Sequence, residues 1–198
     1  MYHELEEYIS SAKESFGTIT DERKAVLNAI INDFRSREHL NLNFICTHNS
    51  RRSHLSQIWA QTAADYYKIP VDTYSGGTEA TAFHPNAIAA LKRAGFQVNS
   101  PEGKNPPHEI KATFEGEPMI CFSKCFDEAP NPKNDFIAIM TCSEADQGCP
   151  VVAGATNKIQ LLYDDPKVAD GTPNEAAKYD ERCKQIATEM FYVFSQLK

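Results

Sequence analysis

The chain has 198 residues, enough for one domain with a substantial core, and its composition is that of an ordinary globular protein. Its formal net charge of −7 argues against nucleic acid or an anionic membrane as the main partner, so an anionic ligand would need a local positive site. No apolar stretch approaches a membrane span and the start Met1-Tyr2-His3-Glu4-Leu5 lacks the features of a signal peptide, so we expect a cytoplasmic protein whose six cysteines are mostly thiols.

Residues 3–16 carry a faint helical pattern. Thr20-Asp21-Glu22 starts a helix in which Val26, Leu27, Ile30, Ile31 and Phe34 keep helical spacing to about Arg37. Residues 42–46 form a buried strand and residues 54–67 a helix. Residues 71–75 are a second strand, ended by Gly76-Gly77. His84-Pro85 opens a helix that runs to Arg93 and stops at Gly95, and 96–98 is a short strand. Residues 99–108 are a proline-rich loop. Residues 109–114 and 119–122 flank Glu115-Gly116-Glu117-Pro118 as a hairpin, and 127–133 is again loop. Residues 136–141 are strand-like, and the run from Cys142 to Pro150 is a polar, turn-like loop. Thr172-Pro173 caps a last helix that carries Ala176, Tyr179, Cys183, Ile186, Met190 and Phe194 on one side. Alternating strands and helices predict a parallel α/β sheet, with ligands beyond the C-terminal strand ends. Cys46 and Cys142 both lie at such ends. We read residues 1–198 as a single domain, with 1–40 as a helical extension and 99–135 as an insertion.

The most informative stretch is Cys46-Thr47-His48-Asn49-Ser50-Arg51-Arg52-Ser53, set between a strand and a helix. Amides at a helix start, together with the helix dipole, make a cradle for an oxyanion. The cradle would be built from Thr47, His48, Asn49, Ser50, Arg51 and Arg52, and Arg52 could grip two oxygens at once. The same field favours a nucleophilic thiolate at Cys46, to which the Ser53 hydroxyl could donate. This points to covalent chemistry on a phosphate-like oxyanion. Asp165, in Asp164-Asp165-Pro166, could protonate a leaving oxygen, an effect typically worth about 10²–10⁴-fold in rate. Cys142 and Cys149 could pass electrons onward by thiol exchange. The histidines form no ligand cluster, and we expect neither a metal nor a cofactor. His54 should be solvated, Trp59 core and His84 a helix cap. Cys121, Cys125 and Cys183 should be small buried hydrophobes.

Together with Tyr74-Ser75-Gly76-Gly77-Thr78-Glu79, His84-Pro85-Asn86-Ala87-Ile88 and Ala94-Gly95-Phe96, these motifs resemble the thioredoxin-coupled arsenate reductases. That family shares the low-molecular-weight protein tyrosine phosphatase fold. The likeness covers about residues 41–98 and 136–198. It implies a four-stranded parallel sheet flanked by helices. It also implies roles: Cys46 attacks arsenic, Arg52 and the loop amides hold the oxygens, and Asp165 protonates the departing hydroxyl. Cys142 then attacks Cys46 to release arsenite, and Cys149 attacks Cys142, leaving a disulfide for thioredoxin to reduce. The chain departs from the family in three places. His48 stands where glycine is usual, Arg51 replaces a smaller residue, and Gln57 stands where potassium-binding members carry glutamate, although Asn49 and Ser75 match. Two other functions share Cys46, Arg52 and Asp165 or the cradle alone. One is a phosphatase that hydrolyses phosphomonoesters through a cysteinyl-phosphate, and the other is a non-catalytic oxyanion-binding redox sensor.

Overall fold

The computed structural model describes residues 1–36, 40–148 and 151–198. Helices α1 (His3–Glu14) and α2 (Asp21–Arg35) come first. The Thr20 side chain caps α2 by accepting from the Arg23 N–H at 3.2 Å. Strand β1 (Leu40–Cys46) leads through the cradle into α3 (Arg52–Tyr67), which is followed by β2 (Val71–Gly77) and α4 (Pro85–Arg93). His84 caps α4 through Nδ1, which accepts the Asn86 N–H at 3.3 Å, and Pro85 occupies the first turn. Then come β3 (Gln97–Asn99), β4 (His108–Lys111), β5 (Met119–Cys121), β6 (Phe136–Met140), α5 (Ser143–Gly148), β7 (Ala155–Gln160) and α6 (Glu175–Ser195).

The main sheet has four parallel strands in the order β2-β1-β6-β7. Central β1 is apolar and buried along most of its length, as a strand covered on both faces must be. One face is covered by α3 and, at the β7 edge, by α2, and α1, α4 and α6 join the same large core, which includes Phe44, Trp59, Phe96, Tyr179 and Phe191. Burying such a side chain contributes about 1.5–3 kcal/mol relative to exposure. The other face carries a smaller cluster of Ile45, Cys46, Phe136, Ala138, Met140, Cys142, Ala145 and Val152.

The strand expected at 96–98 forms as β3 but leaves the main sheet. It pairs antiparallel with the hairpin β4–β5 in a separate three-stranded sheet. The polar run after Cys142 is a short helix, α5, rather than a loop, because Ser143-Glu144 supplies a polar, acidic first turn. Cys149 and Pro150 lie outside the described residues, as does Arg37. The N-terminal helices are seated by a close approach at Gly95. Its φ is +99°, and a Cβ there would stand 2.4 Å from the Leu5 nitrogen. No described helix is long and apolar enough to cross a membrane.

Candidate active site

Cys46 is the last residue of β1, and α3 begins at Arg52, so the connecting loop turns at the C-terminal edge of the sheet. The loop carbonyls are tied outward. Cys46 O accepts from Thr78 N at 3.1 Å, Thr47 O from Glu79 N at 2.8 Å, and Ser50 O from His84 N at 2.9 Å. His48 O accepts from Ser123 Oγ at 2.9 Å and Thr81 Oγ1 at 3.2 Å. In a trans peptide the C=O and N–H point in opposite directions. The amides of Thr47, His48, Asn49 and Arg51 therefore turn to the inside of the loop. Asn49 makes the turn at φ +43°, a conformation asparagine tolerates better than most residues. Gly77 allows β2 to come close beneath, since a Cβ there would lie 2.7 Å from both Asn49 N and Thr47 O.

Inside the loop, Cys46 Sγ lies 3.0 Å from Ser53 Oγ, and Asn49 Nδ2 donates to that oxygen at 2.9 Å. With its lone pair occupied by Asn49, the Ser53 hydroxyl is free to aim its proton at the sulfur. Arg52 donates from Nη1 to Tyr163 O and from Nη2 to Asp165 Oδ2, both at 2.9 Å. The guanidinium is thus fixed in direction, and the carboxylate sits beside it. Asp165 also caps the short 3-10 helix Pro166–Ala169 by accepting from Lys167 N at 3.0 Å. Asp165 therefore plays the ordinary Asp-Pro capping role and also pairs with Arg52.

Two of the expected cradle residues can contribute only through their backbones. The His48 side chain is exposed and lies 3.6 Å from Glu79. Arg51 turns away from the cradle. Its Nε donates to Tyr179 OH at 2.8 Å and its Nη2 lies 3.4 Å from Asp170 Oδ2, while Tyr179 OH donates to Asp170 Oδ1 at 2.8 Å. Burial holds the Tyr179 phenol up at about 12, so it stays a donor. This clamp ties the end of the loop to the segment that carries Asp165.

Cys142 lies near the nucleophile. Its sulfur is fully buried 3.4 Å from Thr47 Oγ1 and shares an apolar cluster with Cys46. The Ala145 N–H of α5 points at that sulfur from 3.4 Å. Cys121 and Cys183 are buried, and burial pushes their thiols up to about 12 and about 11, which leaves them inert. Cys125, expected to be buried, is half-buried instead, because it sits at the edge where residues 124–126 bridge to Gly77.

The chain was compared with known families, proteins and structures. No family model matches. An arsenate reductase of Bacillus subtilis strain 168 is 26% identical over 142 residues, 71% of this chain and 84% of that protein. An arsenate reductase of Staphylococcus epidermidis is 29% identical over 124 residues, 62% of this chain and 76% of its own length. Among solved structures, the Bacillus subtilis protein YwlE superposes with a TM-score of 0.55 at 14% identity, covering 80% of this chain and 98% of YwlE. A low-molecular-weight phosphotyrosine phosphatase from Vibrio cholerae gives 0.54 at 12% identity, covering 80% of this chain and 95% of the phosphatase. The chain has the low-molecular-weight phosphatase fold and is similar in sequence to arsenate reductases.

Three residues at the positions of the family's potassium site are partly engaged within the protein, although Gln57 Oε1 is buried without a hydrogen-bond partner among the described residues. Asn49 Oδ1 accepts from Lys124 N at 3.0 Å, Ser75 Oγ lies 3.2 Å from His54 Nδ1, and Gln57 is uncharged and donates to Thr73 O at 3.0 Å. His54, expected to be solvated, is fully buried under Phe83, whose ring stacks on it at 4.1 Å. Burial and then the nearby Lys124 and His108 hold its imidazole well below the ordinary value. Sequence reasoning did not find the roles of Tyr179, Asp170, Ser123 or the Lys124 backbone. Their partners lie far away in the chain. The Gly76-Gly77 pair was the only local hint of a close approach.

Proposed function

We propose that this protein reduces arsenate to arsenite. The reading rests on one observation above all. A second thiol, Cys142, is packed in the same buried cluster as Cys46, beside a cradle already furnished with Arg52, Ser53 and inward amides.

Arsenate is held by the amides of the loop and by Arg52. The Cys46 thiolate attacks arsenic and forms a sulfur–arsenic bond. An oxygen leaves as water, with its proton supplied by Asp165. Cys142 then attacks the Cys46 sulfur. The sulfur–arsenic bond breaks with its electron pair going to arsenic, which leaves as arsenite, and a Cys46–Cys142 disulfide forms. Cys149 attacks Cys142, frees the Cys46 thiolate and leaves a Cys142–Cys149 disulfide. An external dithiol of the thioredoxin type restores both thiols, which fits a reducing compartment such as the cytoplasm. Since Cys142 is fully buried, α5 must shift for the last two exchanges.

A second reading is supported by the Arg52–Asp165 pair at 2.9 Å. With Cys46 it suffices for phosphomonoester hydrolysis through a cysteinyl-phosphate.

The test supplies arsenate with thioredoxin, thioredoxin reductase and NADPH, and follows NADPH loss. We expect arsenate-dependent consumption that disappears in Cys142→Ser and in Cys149→Ser. Turnover of an aryl phosphate that ignores both changes would favour the phosphatase, and phosphate binding without turnover would favour a sensor.

A further inference from the structure

We propose that the 99–135 segment is a working part of the anion site, with Ser123 as its positioning residue. The inference rests on reading the Cys46 loop as an oxyanion cradle. Ser123 is 2% exposed and lies just beyond β5. Its Oγ donates to His48 O at 2.9 Å and accepts the Thr81 N–H at 2.8 Å. The hydroxyl thus has one donor and one acceptor bond, and both hold loops that border the cradle. Because the His48 carbonyl is pulled outward, the Asn49 N–H is aimed inward. The hydroxyl of Thr81 reaches the same carbonyl at 3.2 Å, but Thr81 is exposed and its bond competes with water, whereas the Ser123 bond is protected.

The neighbouring residues act on the same loop. Lys124 N donates to Asn49 Oδ1 at 3.0 Å, and Gly77 N donates back to Lys124 O at 2.9 Å. Asn49 in turn holds Ser53, which faces the Cys46 sulfur. Asn105, in the loop before β4, brackets Ser123 from behind. Its Nδ2 donates to Ser123 O at 2.7 Å and its Oδ1 accepts from Ser123 N at 2.9 Å. A residue with a side chain, His48, occupies the second loop position, and its side chain faces solvent. The strap formed by Asn105, Ser123 and Lys124 fixes that peptide from outside, where the loop's own sequence does not.

Calorimetric titration of the full chain with inorganic phosphate tests this. The dissociation constant reports the cradle, while the stoichiometry reports the folded fraction. A lesion that only unfolds protein lowers the stoichiometry and leaves the constant alone. For Ser123→Ala we expect a constant weakened roughly tenfold at near-unit stoichiometry, as for other residues that orient a binding group without touching the ligand. A wild-type constant in Ser123→Ala overturns the proposal. If that variant loses its folded fraction, Asn105→Ala, at a half-buried loop site, decides by the same criterion. No phosphate binding by the wild type would instead overturn the oxyanion reading itself, and the strap's role with it.

Discussion

Arg52 is held by a backbone carbonyl on one nitrogen and a carboxylate on the other, so its guanidinium is an oriented fork, as the proposed grip on a tetrahedral anion requires. Lysine offers a point charge on a flexible stem and cannot reproduce that grip. Arg52→Lys should lower kcat/KM by about 10²–10³-fold, a loss comparable to removing a single oxyanion donor. Steady-state kinetics on arsenate or an aryl phosphate check this, and near-wild-type rates would refute the assigned role. Cys46, Arg52 and Ser53 were legible in the sequence because a turn into a helix start must use contiguous residues. Asp165 and Cys142 were legible as isolated chemical groups, and only the fold brings them to one edge. Ser123 and Tyr179 were not legible, since hydroxyl residues are common and their partners lie 75 and 128 positions away.

Among the elements, an exacting contact lies between the end of β2 and the cradle. A methyl group at Gly77 would lie 2.2 Å from Glu79 O and 2.7 Å from two loop atoms, all of them backbone. Gly77→Ala should therefore cost about 3 kcal/mol, near the upper end for overpacking, and denaturant unfolding measures it. The Arg51–Tyr179–Asp170 clamp makes a different prediction. Arg51→Ala frees the segment carrying Asp165 while leaving the cradle amides in place. We expect kcat to fall roughly tenfold with phosphate affinity unchanged, the inverse of the Ser123→Ala pattern. Helices with clear caps and apolar stripes, such as α2 and α4, were readable from their own residues. β7 was not, because it is an edge strand with mixed burial along Ala155–Gln160. α5 was missed because six residues, four of them polar, carry no periodicity. β3 was recognised as a strand, but its partner belongs to the 99–135 segment, which follows no pattern of the parallel sheet.

For the whole molecule, the buried histidine behind the cradle sets a pH limit. His54 is fully buried, and its imidazole is held well below its ordinary 6.5 by burial and then by Lys124 and His108. Below about 6.5 the unfolded chain takes up this proton while the folded protein resists it. The unfolded state then binds more protons, so stability declines as pH falls from about 6.5 toward the depressed folded value. His54 alone accounts for up to ~1.4 kcal/mol per pH unit in that window. The melting temperature should be level between pH 7 and 8 and fall toward pH 5, with a shallower fall in His54→Gln. Equal slopes for the two proteins would refute the assignment.

The chain has one tryptophan, and it is sealed in the seam between α1, α3 and α6. The Trp59 ring stacks on Tyr8 at 5.3 Å, and its indole N–H donates to the Cys183 sulfur at 3.2 Å. Red-edge excitation therefore interrogates a single fluorophore, shielded from solvent and quenched by an adjacent thiol. When α1 peels away, Tyr8 leaves the indole while Cys183 on α6 stays beside it, so the emission should shift to longer wavelength without losing the thiol quencher. Events in the cradle, at the N-terminal end of α3 and about two turns from Trp59, should leave that signal untouched. Detachment of the N-terminal helices and anion capture can thus be followed separately in one sample, without any attached label.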